Sequence, residues 1–263
     1  MTVAKERIDK LLVERGLVET RAKARAVIMA GDVLVDGQRV DKAGTAVAVD
    51  APIELVAPPP YVSRGGFKLA GALDEFGLDV TGRVCADVGA CTGGFTDVLL
   101  QRGATRVYAI DVGHGQLDWK LRQDERVQVM ERTNARYVQA LDEPVDLTVI
   151  DVSFISLRLI LPAVAQWLRP NGDVVALVKP QFEAGPEQVG KGGIVRDPAV
   201  HRQVLSNIAE WATDTGWSIS GLTQSSLTGT DGNVEFLIWL QPADPTVHTD
   251  RPDLDKLIDK VLS

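Results

Sequence analysis

Cysteine is almost missing from this 263-residue chain. The two thiols, Cys85 and Cys91, form no CxxC pair, and no cluster of histidines accompanies them. That excludes a disulfide framework and a structural zinc site; no metal is expected, and a reducing cytoplasm is the expected setting. Long apolar runs are missing too. The most apolar stretch, Leu147 to Leu168, is interrupted by Asp151, Arg158 and Pro162, so it does not read as a membrane span. The residues Met1 to Arg7 lack the apolar core of a signal peptide. Neither GxGxxG nor GxxxxGK[ST] occurs anywhere, which weakens a dinucleotide or triphosphate site. There is no basic excess either, because the net charge is −8. Its distribution is uneven. Residues 1–59 hold nine basic and nine acidic side chains, and the remainder holds 19 and 27. An RNA partner would therefore be met by local patches, such as the seven basic residues against four acidic ones within residues 1–30.

The run Ala57-Pro58-Pro59-Pro60-Tyr61 divides the chain, since three prolines favour an extended connector. The spacing predicts a small α+β module at 1–57, a linker at 58–63 and a large α/β domain at 64–263. In the first part, helical periodicity covers Glu6 to Arg15. Thr20 caps a second helix that ends at Gly31, Asp36-Gly37 turns a hairpin, and Ile53 to Val56 adds a strand. In the second, a helix from Arg64 to Phe76 precedes strands at 83–89, 106–112, 127–131, 146–152 and 172–179. Helices are expected near 95–102, 116–122, 157–168 and 198–215. A late pair of strands, 218–223 and 234–240, reads as an antiparallel edge, and 253–262 as a final amphipathic helix. This alternation predicts a doubly wound, Rossmann-like sheet.

Chemistry concentrates at the strand ends, where ligands bind in such sheets. Asp87-Val88-Gly89-Ala90-Cys91-Thr92-Gly93-Gly94-Phe95 follows the first strand and opens a helix. Its glycines allow a ligand to approach the backbone closely. Asp111 ends the next strand, where a carboxylate can accept both hydroxyls of a ribose. Together they favour S-adenosylmethionine. Asp151 ends the fourth strand without the two prolines of an Asn/Asp-Pro-Pro-aromatic base-methylation motif, and neither cysteine suits a carbon-5 nucleophile. Lys179 ends the run Val174 to Val178, where packing alone rarely places an ammonium. With Lys68 on the preceding helix and Glu235 on the last strand, two lysines and two carboxylates suit deprotonation of a weakly acidic hydroxyl. Each alone is an ordinary surface charge.

The set Lys68, Asp151, Lys179 and Glu235 resembles the catalytic tetrad of FtsJ/RrmJ-type ribose 2′-O-methyltransferases. The longer match, over nearly the whole chain, is to the TlyA family of ribosomal RNA cytidine 2′-O-methyltransferases. It rests on Val62 to Leu69, Asp87 to Phe95, Asp111 to Leu117, Glu131 to Arg136, Asp151 to Leu157, Val178 to Glu183 and Gly232 to Phe236. The amino-terminal segments Arg7-Ile8-Asp9, Leu11-Leu12, Thr20 to Arg25 and Gly31 to Gly37 resemble the αL RNA-binding fold first seen in a small-subunit ribosomal protein.

The resemblance implies a class I methyltransferase sheet with an antiparallel last strand. It also implies methyl transfer from S-adenosylmethionine to a cytidine ribose 2′-hydroxyl of 16S RNA, 23S RNA or both. Asp87, Gly89, Thr92, Gly93, Gly94, Phe95, Asp111, Val112, Asn134 and Asp151 are expected to hold the cofactor. Lys179 is expected to be the base, and Arg7, Arg21, Lys23, Arg25, Arg64, Arg132 and Arg136 to meet RNA. The expected partner is ribosomal RNA within subunits, with the enzyme a monomer and no membrane involved. The family has also carried a haemolysin name. A membrane-active protein and a methyltransferase for small phenolic hydroxyls are thus the alternatives.

Overall fold

The computed structural model describes residues 4–56, 59–229, 232–243 and 253–263. The chain divides into two compact units, Met1–Pro60 and Tyr61–Ser263. Pro58, where the expected linker starts, lies with Ala57 outside the described residues.

In the first unit, β1 (Lys5–Arg7) leads into α1 (Ile8–Glu14), then α2 (Arg21–Met29), β2 (Val33–Val35), β3 (Gln38–Arg39), β4 (Ala46–Ala48) and β5 (Ile53–Leu55). Ile8, Leu12, Ala24, Ile28 and Val33 close its small core. Thr20 caps α2 by accepting the Lys23 amide at 3.2 Å. Asp36 and Gly37 both take positive φ, 51° and 74°, as a two-residue hairpin turn between β2 and β3 requires. The pairing of β1 with β4 was not expected from the polar run Lys5-Glu6-Arg7. Partner backbone, rather than β-propensity, makes that strand.

The second unit runs α3 (Gly65–Phe76), β6 (Val84–Val88), α4 (Gly94–Gln101), β7 (Arg106–Ile110), α5 (Trp119–Arg122), β8 (Val127–Met130), β9 (Val145–Ile150), α6 (Leu161–Trp167), β10 (Leu168–Val178), α7 (Pro180–Glu183), α8 (Pro198–Asp214), β11 (Trp217–Gln224), β12 (Phe236–Pro242) and α9 (Leu254–Leu262). The sheet order is β8-β7-β6-β9-β10-β12-β11, with β12 antiparallel to both neighbours and the pairs from β8 to β10 parallel. Both faces are covered. Val174, Ala176 and Val178 pack with Val164, Leu205 and Ile258 of α6, α8 and α9. Their alternates Val175 and Leu177 pack with Leu69, Leu99 and Leu121 of α3, α4 and α5. A strand buried on both faces needs an unbroken apolar run, and β10 supplies one from Val174 to Val178.

The late strands form the expected antiparallel edge, with β11 outermost and β12 also pairing with β10. Several other expectations are corrected. Glu235 precedes β12 instead of lying on it. The helix expected over 116–122 shrinks to α5, since Gly115 turns the chain at φ 73° and Asp118 caps late by accepting the Lys120 amide. The helix expected over 157–168 splits into a 3-10 turn at Leu157–Leu159 and α6, with Pro162 near the new start. The short α7 was not anticipated.

Opposite the ligand-binding end of the sheet, buried Asp173 accepts from Arg83 at 2.6 Å, Trp239 Nε1 at 2.8 Å and Gln241 Nε2 at 2.9 Å. Removing one partner of a buried ion pair strands the other charge. Asp173→Ala is expected to destabilise the methyltransferase-like unit by about 3 kcal/mol in urea unfolding, whereas a neutral result would show that water already satisfies Arg83.

Candidate active site

The sheet order reverses between β6 and β9, so the loops after these two strands diverge and leave a crevice. A cleft of about 320 Å³ opens there. Its floor is the loop after β6. Gly89, at φ 88°, lies so close to the Asp151 carbonyl that a Cβ would collide with it. A Cβ on Gly94, at the start of α4, would meet Ser63 Oγ and the Gly66 amide. Both glycines let backbone from three segments converge under the cleft.

Asp111 follows β7. Its carboxylate accepts the Cys91 amide at 2.8 Å and the Gly113 amide at 2.6 Å, so it ties β7 to the floor loop. It borders a second, narrower crevice with Ala109, Leu117 and Val129. Each carboxylate oxygen retains a further lone pair for a ribose diol. Glu131, after β8, is held down at about 2 by the Gly115 amide it accepts and then by Arg122 and His114. This pins the turn that follows Asp111.

Two ion pairs stand over the floor. Lys68 on α3 pairs with Glu235, and both are largely buried, at 12% and 3% side-chain exposure. Lys179, at the end of β10, has Asp151 Oδ1 2.6 Å from its Nζ and donates a hydrogen bond to Ser153 Oγ at 3.0 Å. All five residues line the same cleft. The geometry thus gathers the four lysine and carboxylate positions singled out in the sequence. It sorts them into two pairs, Lys68 with Glu235 and Lys179 with Asp151, both on the cleft wall.

The other expected residues separate. Gly89, Thr92, Gly94, Phe95 and Asp151 are on the cleft wall, and Asp111 is in the adjoining crevice. Gly93, Val112 and Asn134 are not. Asn134 is exposed and caps its own 3-10 turn by accepting the Arg136 amide, while Val112 points to solvent. Asp87 is corrected from a wall residue to a sealed one. It accepts from Thr96 Oγ1 at 2.6 Å, its Oδ1 has no partner, and burial pushes its carboxyl up to about 7.

Among the expected RNA contacts, Arg64 lines the cleft, whereas Arg132 and Arg136 are exposed away from its wall. In the first unit, Arg7, Arg21 and Arg25 surround the buried Asp9 at 2.9, 2.8 and 3.6 Å. Hydrogen bonds from Arg7 and Arg21 hold the Asp9 carboxyl far below the usual range. The arginines stay about half exposed, so three cations around one anion leave a positive patch.

Sequence reasoning missed Ser153, Phe154 and Glu183. Phe154 is 90% exposed at φ 62°, a region few non-glycine residues enter. Adjacency to Asp151 was the available signal for the first two.

A glycine-floored cleft with a vicinal-diol acceptor and a carboxylate beside a lysine suits S-adenosylmethionine, whose sulfonium is cationic and whose ribose is a diol. The FtsJ-like methyltransferase family matches residues 61–242, and the S4 domain matches residues 6–53. The 16S/23S rRNA (cytidine-2′-O)-methyltransferase TlyA of Mycobacterium tuberculosis is 48% identical over 89% of this chain and 89% of its own. Hemolysin A of Brachyspira hyodysenteriae is 42% identical over 88% of this chain and 98% of its own. A Streptococcus thermophilus protein solved under a provisional hemolysin name superposes with a TM-score of 0.73 at 46% identity, covering 99% of this chain and 96% of that one.

Asp87 makes stability depend on pH. Its carboxyl rises from an ordinary 3.8 to about 7 on folding, so between these values the native state holds a proton that the unfolded chain lacks. Stability from this group is complete below about pH 4 and is lost as pH rises to about 7. Asp87→Asn removes that slope. Urea midpoints at pH 5 and pH 8 are expected to fall less with pH in the variant than in the wild type.

Proposed function

This chain belongs to the FtsJ-like methyltransferase family and, with its S4 domain, to the TlyA family, and from that premise we propose that it transfers a methyl group from S-adenosylmethionine to the ribose 2′-hydroxyl of cytidine in 16S or 23S ribosomal RNA, or both. One observation carries the chemistry: Lys179, beside Asp151, ends β10 on the same cleft as the floor loop after β6. When bound there, S-adenosylmethionine supplies an electrophilic methyl on a sulfonium that leaves as a neutral thioether.

The residues of the chain do the rest. Lys179, once deprotonated, takes the proton from the 2′-hydroxyl as that oxygen bonds to the methyl carbon. Asp151 holds the lysine head at the wall and offers negative charge near the sulfonium. Lys68 is neutralised by Glu235, so it can donate to the 2′-oxygen or its neighbour without leaving an unpaired buried charge. Asp111 orients the cofactor ribose. Arg64 at the mouth suits a substrate phosphate. Phe154 presents an aromatic face at the rim, of the kind that unstacked RNA bases use. Alignment of oxygen, methyl and leaving sulfur supplies much of the rate.

The amino-terminal unit fits an RNA grip. Arg7, Arg21, Lys23 and Arg25 crowd α1, α2 and their approach; Asp9 offsets one charge among the arginines, and Glu19 lies 3.8 Å from Lys23. The S4 match favours RNA over a small phenolic substrate. Association with assembled subunits, action as a monomer and residence in the cytoplasm are part of the same proposal. Among the described residues no helix is long and apolar enough to cross a membrane.

Lys179→Ala is expected to lower methyl transfer by about 10²–10⁴-fold while leaving the fold intact by circular dichroism. Near-wild-type turnover would sink the assignment. For the amino-terminal unit, Lys23→Ala and Arg25→Gln avoid the tight pairs on Asp9. Each is expected to lower the salt slope of ribosomal RNA binding by roughly 0.7–0.9 without changing turnover of bound substrate. An unchanged slope would assign this unit another task.

A further inference from the structure

The Lys179 head group has two polar neighbours of unequal geometry, and lies 6.0 Å from the centroid of the Phe182 ring. Asp151 Oδ1 is 2.6 Å from Nζ, an ion-pair distance, but this buried oxygen has no hydrogen-bond partner. Ser153 Oγ accepts a hydrogen bond from the same Nζ at 3.0 Å. Asp151 therefore supplies charge, while Ser153 sets direction.

Ser153 is itself held. It belongs to the turn after β9, whose next residue, Phe154, sits at φ 62° with its ring 4.9 Å from that of Phe182 on α7. Such a backbone persists only where its surroundings over-determine it. The far end of the turn is fastened to the same helix. Glu183 accepts from Ser156 Oγ at 2.6 Å and from the Leu157 amide at 2.7 Å. Helix α7 starts at Pro180, directly after Lys179. One short helix thus fixes both the lysine and the turn that carries its acceptor.

We propose that Ser153 is a positioning residue for Lys179, held in place by the Glu183 clasp on residues 156 and 157. The proposal rests on the reading of Lys179 as the base. A neutral lysine amine has two N–H groups and one lone pair. With one N–H on Ser153 Oγ and the head group beside the Asp151 carboxylate, the lone pair faces the cleft. It takes the 2′-hydroxyl proton while the new O–CH3 bond forms and the S–CH3 bond breaks. The resulting ammonium keeps both neighbours and passes its third proton to solvent after product leaves. Without Ser153 the amine rotates, and only the fraction aimed at the hydroxyl reacts.

Ser153 is exposed, so its replacement does not threaten folding. The full-length protein is assayed with S-adenosylmethionine and ribosomal RNA. Ser153→Ala is expected to lower kcat about tenfold, with KM for both substrates unchanged, and Ser153→Thr to restore most of it. In a Lys179→Ala background, Ser153→Ala should cost nothing further. Glu183→Gln should lower kcat in the wild type but not in the Ser153→Ala background.

A kcat within twofold of wild type for Ser153→Ala overturns the proposal, as does a loss expressed only in KM. Loss on Lys179→Ala with none on Ser153→Ala removes the positioning role and leaves the base assignment standing. Retained turnover in Lys179→Ala removes the base assignment itself. A Glu183→Gln effect that persists without Ser153 removes the clasp.

Discussion

The site depends on the close approach of Gly89 to the carbonyl of Asp151. Strands β6 and β9 are neighbours in the sheet but distant in the chain, and their ends meet where the strand order reverses. A side chain on Gly89 would push them apart. Because it has none, the loop that floors the cofactor cleft and the carboxylate beside Lys179 share one wall. Asp111 then ties that loop to β7 through the Cys91 amide, and Gly94 allows the start of α4 to reach Ser63 and Gly66. The position of α3, and with it Lys68, follows from that last contact.

Electrostatics at the cleft is a matter of pairing. Glu235 is nearly sealed, and an isolated carboxylate there would be costly to keep charged. Lys68 offsets that cost and keeps a cation at the cleft. In the second pair Lys179 is as buried as Lys68, and the difference lies in the carboxylate, with Asp151 at 24% exposure against 3% for Glu235. The amino-terminal unit uses the opposite arrangement. There one buried carboxylate, Asp9, gathers three arginines whose outer faces remain exposed. The first arrangement matches each cation with its own carboxylate; the second leaves net positive charge at the surface.

Much of the fold was legible because its signals are local. Thr20, Asp36-Gly37, the 3.6-residue spacing of Ile8, Leu11 and Leu12, and the unbroken apolar run before Lys179 each act within a few residues. Where the reading failed, a non-local partner had decided. Lys5 to Arg7 became a strand because Ala46–Ala48 pairs with it. Asp87 carries the same lesson for the site. Its place in a glycine-rich loop suggested a cofactor contact, but the packing around β6 seals it away from the cleft.

By itself the sequence determined most element types, the glycine-rich loop after β6 and the candidate set Lys68, Asp151, Lys179 and Glu235, because residue chemistry and short-range periodicity are written in the chain. Only the tertiary structure decided which lysine pairs with which carboxylate, and that Ser153 and Glu183 join them. Those relations depend on distances and angles between segments up to 167 residues apart, as between Lys68 and Glu235, and only the packed sheet sets them.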